Sequence, residues 1–275
     1  MSGSGANAEL LLQRAQAGAN YSISVIVTEN PGGSRAKILS EMFNVPLLAM
    51  DMKAFYLAHG ESSISLKTLR GQELRDLWSD LLRQELKKYK IDFILLAGFA
   101  AMTNVTGDYV ALNVHPGDLS IEDGAGRRRF VGLHAIPVEK AILAGFNYLR
   151  SSVIVALPYS GGGQDEVDSG PILGVSEPMM VDFCGHTLAE LREIHQQRKA
   201  GVKAKDALRD LAIHNQELLK YAGDLTVFPA VVEDYAAGRF RLDEAGLVYF
   251  VDDGKAEQQV KTIEYHADGS RKLIF

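Results

Sequence analysis

Five apolar runs, each closed by turn residues, alternate with stretches of helical periodicity, and this alternation restricts the chain to an α/β fold with a mostly parallel sheet. The runs are YSISVIVT (21–28), VPLLAMD (45–51), IDFILLAGF (91–99), YVALNV (109–114) and SSVIVALPY (151–159). The continuous apolar character of 91–99 is what a strand buried on both faces requires. Between the runs, Ala36, Ile38, Leu39 and Phe43 recur at helical spacing after Ser34, an expected N-cap. Leu74, Leu77, Trp78, Leu81, Leu82 and Leu86 form an expected apolar stripe on a second helix. Right-handed crossovers would make the sheet doubly wound. Past His186 the chain turns helical and charged, and from Gly246 onward it reads as short strands with turns at Asp252–Gly254 and Asp268–Gly269.

Composition narrows the function classes. The 275 residues carry a net charge of −6, which speaks against a general nucleic-acid binder. Cys184 is the one cysteine, so neither an internal disulfide nor a thiolate metal cluster can form within the chain, and a reducing, cytoplasmic setting is expected. No apolar run approaches the roughly 20 residues of a membrane span, and no secretory leader is recognisable. The expected partners are small molecules, with neither nucleic acid nor membrane, and the expected state is a monomer or homodimer without a metal.

Open α/β sheets bind ligands at the carboxyl ends of their strands, and unusual polar groups stand there. Asn113 and His115 close one apolar run, and Asp168 follows another in DEVDSGPIL (165–173). An amide can hydrogen-bond a developing oxyanion, an imidazole can move a proton near neutral pH, and a carboxylate can hold the imidazole. That trio suits acyl transfer to an amine, and no G-x-S-x-G nucleophile elbow is present. Taken singly, Asn113 and His115 also read as strand-end hydrogen-bonders and Asp168 as an Asx-turn. The opening MSGSGANAELL places a glycine-rich loop at a helix start, which is either an anion site or a linker.

Six segments in order, SGSGANAELL, VTENPGGSRA, DFILLAGFAAMT, LNVHPGDL, GLHAIPVEKAILAG and EVDSGPIL, resemble the folate-dependent formyltransferases, most closely those that formylate glycinamide ribonucleotide. The similarity runs from about residue 2 to 180, with a weaker return at LTVFPAVVEDYAAGRFRL (225–242). The resemblance implies a Rossmann-like sheet with flanking helices and transfer of a formyl group from 10-formyltetrahydrofolate to the amine of a phosphorylated metabolite. The default acceptor is glycinamide ribonucleotide, which would place the chain in one-carbon metabolism and purine biosynthesis. By the same resemblance Asn113 polarises the formyl oxygen, His115 shuttles a proton and Asp168 supports His115. Gly3, Gly5, Ala6 and Asn7 would hold the substrate phosphate. Phe99, Ala101, Met102, Thr103, Glu166 and Val167 would bracket the pterin. The implied organisation is a catalytic domain over 1–182, a helical extension over 183–240 that includes the domain's last helix, and a β-rich tail over 241–275.

The sequence departs from the family pattern in places. An apolar strand precedes the glycine-rich loop in that family; here the loop begins at Ser2, so the first strand is expected to be absent or replaced by another segment. Ala6 stands where the loop usually has a hydroxyl, and GDLS follows His115 in place of Ser-Leu-Leu-Pro. An insertion then brings Arg127, Arg128 and Arg129, which read either as contacts to a substrate anion or as a solvated loop. These changes surround substrate contacts more than the trio. The alternatives are therefore a sugar-amine N-formyltransferase, a formyltetrahydrofolate deformylase, and a non-catalytic folate or nucleotide binder. The deformylases usually add a second histidine after Asn-x-His and an N-terminal regulatory domain, neither of which is seen. Transfer-RNA formyltransferases usually carry a basic C-terminal domain, unlike this acidic tail.

Overall fold

The structure is a computed structural model that describes residues 1–159, 168–199, 201–202, 204–252 and 254–275. In chain order the described elements of its first half are α1 (Ala6–Gln16), β1 (Ile26–Thr28), α2 (Ala36–Phe43), β2 (Leu47–Ala49), α3 (Met52–Ala58), α4 (Leu69–Leu86), β3 (Ile94–Leu96) and β4 (Ala111–His115). There follow α5 (Ile136–Leu143), β5 (Tyr148–Leu149), β6 (Ser152–Val155), β7 (Ile172–Ser176), β8 (Met179–Met180), α6 (Leu188–Gln196), α7 (Ala207–Leu219) and α8 (Leu225–Ala236). Five short strands close the chain: β9 (Phe240–Leu242), β10 (Val248–Phe250), β11 (Gln258–Val260), β12 (Thr262–Tyr265) and β13 (Arg271–Ile274). The expected α/β fold with a mostly parallel sheet and flanking helices is present.

The chain divides into two compact units, one of residues 1–113, 155–170 and 232–238, the other of 114–154, 171–231 and 239–275. In the first, β1 pairs with β2 and β3 with β4, both in parallel. Each strand is only as long as its partner allows: β2 offers three residues, so only the last three of the apolar run 21–28 enter a ladder. Trp78, Leu74, Leu82 and Leu86 of α4 pack with Met52 and Tyr56 of α3, and Ile26, Leu39 and Phe43 gather with Leu12 of α1.

Local sequence misjudged two helices. Leu77 and Leu81 are exposed, and α4 instead buries Arg75 and Ser79 beside Trp78. On α2 Ile38 is exposed, and the cap position is Arg35; the Ser34 hydroxyl is engaged with Thr28 Oγ1 at 2.9 Å instead.

In the second unit β7 pairs antiparallel with β6 and parallel with β12, which β13 joins in a hairpin. The carboxyl-terminal strands β12 and β13 therefore extend this sheet, while β9, β10 and β11 form a separate antiparallel meander. Phe130, Val138, Ile142, Leu191, Leu211 and Leu219 build the unit's main helical core. Among the described residues no helix is long and apolar enough to cross a membrane.

Candidate active site

Asn113 and His115 stand two residues apart on β4, so strand alternation turns both side chains to the same face. Asn113 is half-buried and ends the first unit; His115 is buried in the second. The His115 ring is held by its own unit: Nε2 lies 2.8 Å from the Phe130 carbonyl oxygen. A carbonyl only accepts, so this contact puts the proton of the neutral ring on Nε2 and makes Nδ1 its basic nitrogen. Gly117 permits that arrangement. A Cβ there would stand 2.8 Å from the Phe130 carbonyl oxygen, 2.9 Å from Pro137 Cβ and 3.2 Å from His115 Nε2. The departure GDLS thus has a structural cause. Asp118, which follows, is buried and turns the chain by accepting the Ser120 N–H at 3.0 Å.

Asp168 is fully buried in the first unit. Two contacts tie its segment to β4. Gly170 lies so close to β6 that a Cβ would sit 1.8 Å from the Val155 carbonyl oxygen, and Ala156 N–H donates to the Ala111 carbonyl at 2.8 Å. The segment after Asp168 and the strand of Asn113 are therefore braced through neighbouring backbone.

The glycine-rich loop is drawn inward by its carbonyls. Asn30 Nδ2 donates to Ser2 O at 3.1 Å, Arg35 N–H to Gly3 O at 3.1 Å and Arg35 Nη1 to Ser4 O at 3.3 Å. Gly5 caps α1 with φ 73°, a left-handed conformation, and a Cβ there would meet Met1 Cε at 2.4 Å. Ala6 and Asn7 open the first turn, where helix N–H groups lack intrahelical acceptors and the dipole favours an anion. Glu9 would oppose an anion there, but Arg35 pairs with it at 2.8 Å.

Two residues outside the sequence reading position the second strand end. Ser2 donates through its hydroxyl to Glu29 and accepts the Ala100 N–H at 2.7 Å, joining the glycine-rich loop to the segment after Gly98. Arg75, buried on α4, donates through Nη1 to the Met102 carbonyl at 2.8 Å. Thr103 is buried as the N-cap of a short 3-10 turn and donates to Ser79 Oγ at 3.1 Å. Phe99 and Ala101 pack against the cluster around Trp78, while Met102 packs against Ala111 and Ala156. Glu166 and Val167 lie outside the described residues. Arg75→Leu removes a charge-assisted bond worth about 1.5–3 kcal/mol. We expect it to loosen 99–103, read as a lowered Tm and faster amide exchange across that segment.

The arginine insertion is largely committed to its own turn. Arg127 pairs with Asp123 at 2.9 Å, and backbone N–H groups of Arg127 and Ala125 hold the Asp123 carboxyl below the usual carboxylate range. Arg128 bridges to Glu122 through backbone, and Arg129 lies over the rings of Phe130 and Phe146, 5.5 and 5.7 Å from their centroids. Metal-ligand atoms converge elsewhere in the second unit, where exposed Asp182, Cys184 and His214 lie within 4.8 Å of one another. His214 Nε2 lies 3.0 Å from Asp182 Oδ2 there.

No protein-family model and no curated protein matches the sequence. Solved structures do. The phosphoribosylglycinamide formyltransferase of Anaplasma phagocytophilum superposes with a TM-score of 0.58 at 18% identity, over 93% of each chain. That of Coxiella burnetii gives 0.59 at 17% identity, over 94% of this chain and 92% of the other. A formyltetrahydrofolate deformylase of Pseudomonas syringae gives 0.56 at 13% identity, over 92% of this chain and 64% of that longer one. With its glycine-rich loop at a helix start and its Asn-x-His strand end, the chain has the fold these formyltransferases and deformylases share.

Proposed function

We propose that the protein transfers the formyl group of 10-formyltetrahydrofolate to the amine of a phosphorylated metabolite, with glycinamide ribonucleotide as the default acceptor. The observation that carries this reading is β4, which ends in an amide and a buried imidazole on one strand face, within a fold shared with enzymes of formyl-folate chemistry. In the proposed reaction the Asn113 amide N–H donates to the formyl oxygen as the amine attacks and charge develops there. His115 takes the proton released by the amine and delivers it to the departing folate nitrogen. Asp168 supports the imidazolium form. The first turn of α1 receives the acceptor's phosphate, and the 99–103 segment receives the pterin.

Deformylation, in which water replaces the amine, is the second reading, favoured by the likeness to the Pseudomonas fold. One assay separates the two. The protein is incubated with 10-formyltetrahydrofolate, with and without glycinamide ribonucleotide, and folate absorbance is followed. Turnover that requires the amine supports transfer. Equal turnover without any amine assigns a deformylase, and tight folate binding without turnover assigns a binding protein.

A further inference from the structure

Burial alternates along the segment that follows β8. Val181 is buried, Asp182 exposed, Phe183 half-buried and Cys184 exposed. Val181 and Phe183 pack into the helical core of the second unit, together with Leu211 of α7. Those two anchors leave Asp182 and Cys184 on the outer side, where α7 meets them.

Two consecutive residues of α7 divide the work of that meeting. Asn215 is fully buried and holds the Asp182 backbone at both its groups: its Oδ1 accepts the Asp182 N–H at 2.9 Å, and its Nδ2 donates to the Asp182 carbonyl at 2.8 Å. A further bond from Nδ2 to the Leu211 carbonyl at 3.0 Å ties the amide to its own helix. His214 is exposed and reaches the Asp182 side chain instead, with Nε2 3.0 Å from Oδ2. The other carboxylate oxygen is fixed from the chain, since the Cys184 N–H donates to Oδ1 at 2.9 Å. Cys184 itself has φ 50°, a left-handed conformation that residues other than glycine, asparagine and aspartate rarely adopt.

The outcome is a carboxylate oxygen, a sulfur and a ring nitrogen within 4.8 Å of one another, on side chains whose backbones are held by a buried amide. The mixture of donors selects the ion. Magnesium and calcium prefer oxygen alone, whereas thiolate and imidazole suit zinc and its neighbours. The Nε2–Oδ2 separation of 3.0 Å is already close to about 3.3 Å, the edge between nitrogen and oxygen donors around tetrahedral zinc with bonds of about 2.0 Å. Rotation of the exposed Cys184 side chain brings in the sulfur, and its thiol proton passes to solvent as the metal binds. A single thiolate suffices, because the imidazole and the carboxylate supply the remaining protein ligands.

We propose that Asp182, Cys184 and His214 form a binding site for one zinc-type divalent cation, with the fourth position left to water. Three protein ligands and an exchangeable fourth make it an open site. Bound metal would fasten the turn at 182–184 to α7 through side chains, outside the clamp that Asn215 makes through backbone.

The test strips the untagged full chain with a chelator and titrates it with cobalt(II), which takes zinc geometry and reports its ligands by colour. One equivalent should produce a thiolate-to-cobalt charge-transfer band with the visible bands of a tetrahedral ion, and zinc should bleach both. Cys184 is the one cysteine, so the charge-transfer band has a single source, and Cys184→Ser should abolish it. His214→Ala and Asp182→Asn should each weaken cobalt binding by about tenfold or more, at least the loss caused by removing a group that only orients a ligand. Asp182→Asn keeps an oxygen for the Cys184 N–H, so the turn is preserved. All three side chains are exposed, and the metal-free Tm of each variant should match that of the unmodified chain. His186, two residues past Cys184, is the control, and His186→Ala should leave the titration unchanged. A cobalt spectrum without the thiolate band, or metal lost on His186→Ala and kept on His214→Ala, would overturn the proposal.

Discussion

Replacing His115 by Ala is expected to lower formyl-transfer turnover by about 10²–10⁴-fold, the usual worth of a positioned general acid–base. The residue also has a structural duty. Its Nε2 meets the Phe130 carbonyl at 2.8 Å in a buried setting, so the Ala variant strands that carbonyl at a cost of about 1–3 kcal/mol. Loss of activity alone would therefore be ambiguous, and a second variant resolves it. His115→Gln keeps an N–H donor for Phe130 while removing any group that titrates near neutral pH. It is expected to recover most of the lost Tm and none of the turnover. A Gln variant at near wild-type rate would mean that the proton is carried elsewhere. The hydrogen bond to Phe130 also narrows the chemistry: with Nε2–H committed to a carbonyl, the neutral ring receives a proton at Nδ1.

The strand ends were legible because their signal is local. The run through 109–114 closes with Asn113 and His115 and forms β4, and the glycine-rich loop starts α1. The features that hold those ends in place were not legible, because each pairs residues distant in sequence. Arg75 resembles any surface cation of an amphipathic helix until α4 turns it to the Met102 carbonyl, 27 residues on. The same rotation explains why Leu77 and Leu81 are exposed: the buried face of α4 is set by Trp78 and by the groups that Arg75 and Ser79 must reach. Ser2 looks like part of a flexible loop, yet its hydroxyl is fixed between Glu29 and Ala100 N–H. Strand length is likewise set by the partner, which is why eight residues of apolar run yield three of ladder at β1.

Gly170→Ala is expected to be the most damaging single-methyl change in the segment that carries Asp168. The new Cβ would stand 1.8 Å from the Val155 carbonyl oxygen, a distance at which backbone must move because there is no flexible side chain to yield. Val155 ends β6, and the next residue bonds to Ala111 at the start of β4. Two outcomes are open to the chain, and both are measurable. If 168–170 moves away as a body, Asp168 shifts by about 1 Å, a displacement that can cost on the order of 10²-fold in turnover when a group must be oriented for catalysis. If β6 yields instead, the Ala156–Ala111 bond lengthens, and the strain appears as about 1–3 kcal/mol of lost stability in a urea melt, typical of overpacking. The first outcome lowers kcat with little change in Cm; the second lowers Cm. Gly170→Ala with both kcat and Cm unchanged would show that the close approach at Val155 is not what orients Asp168.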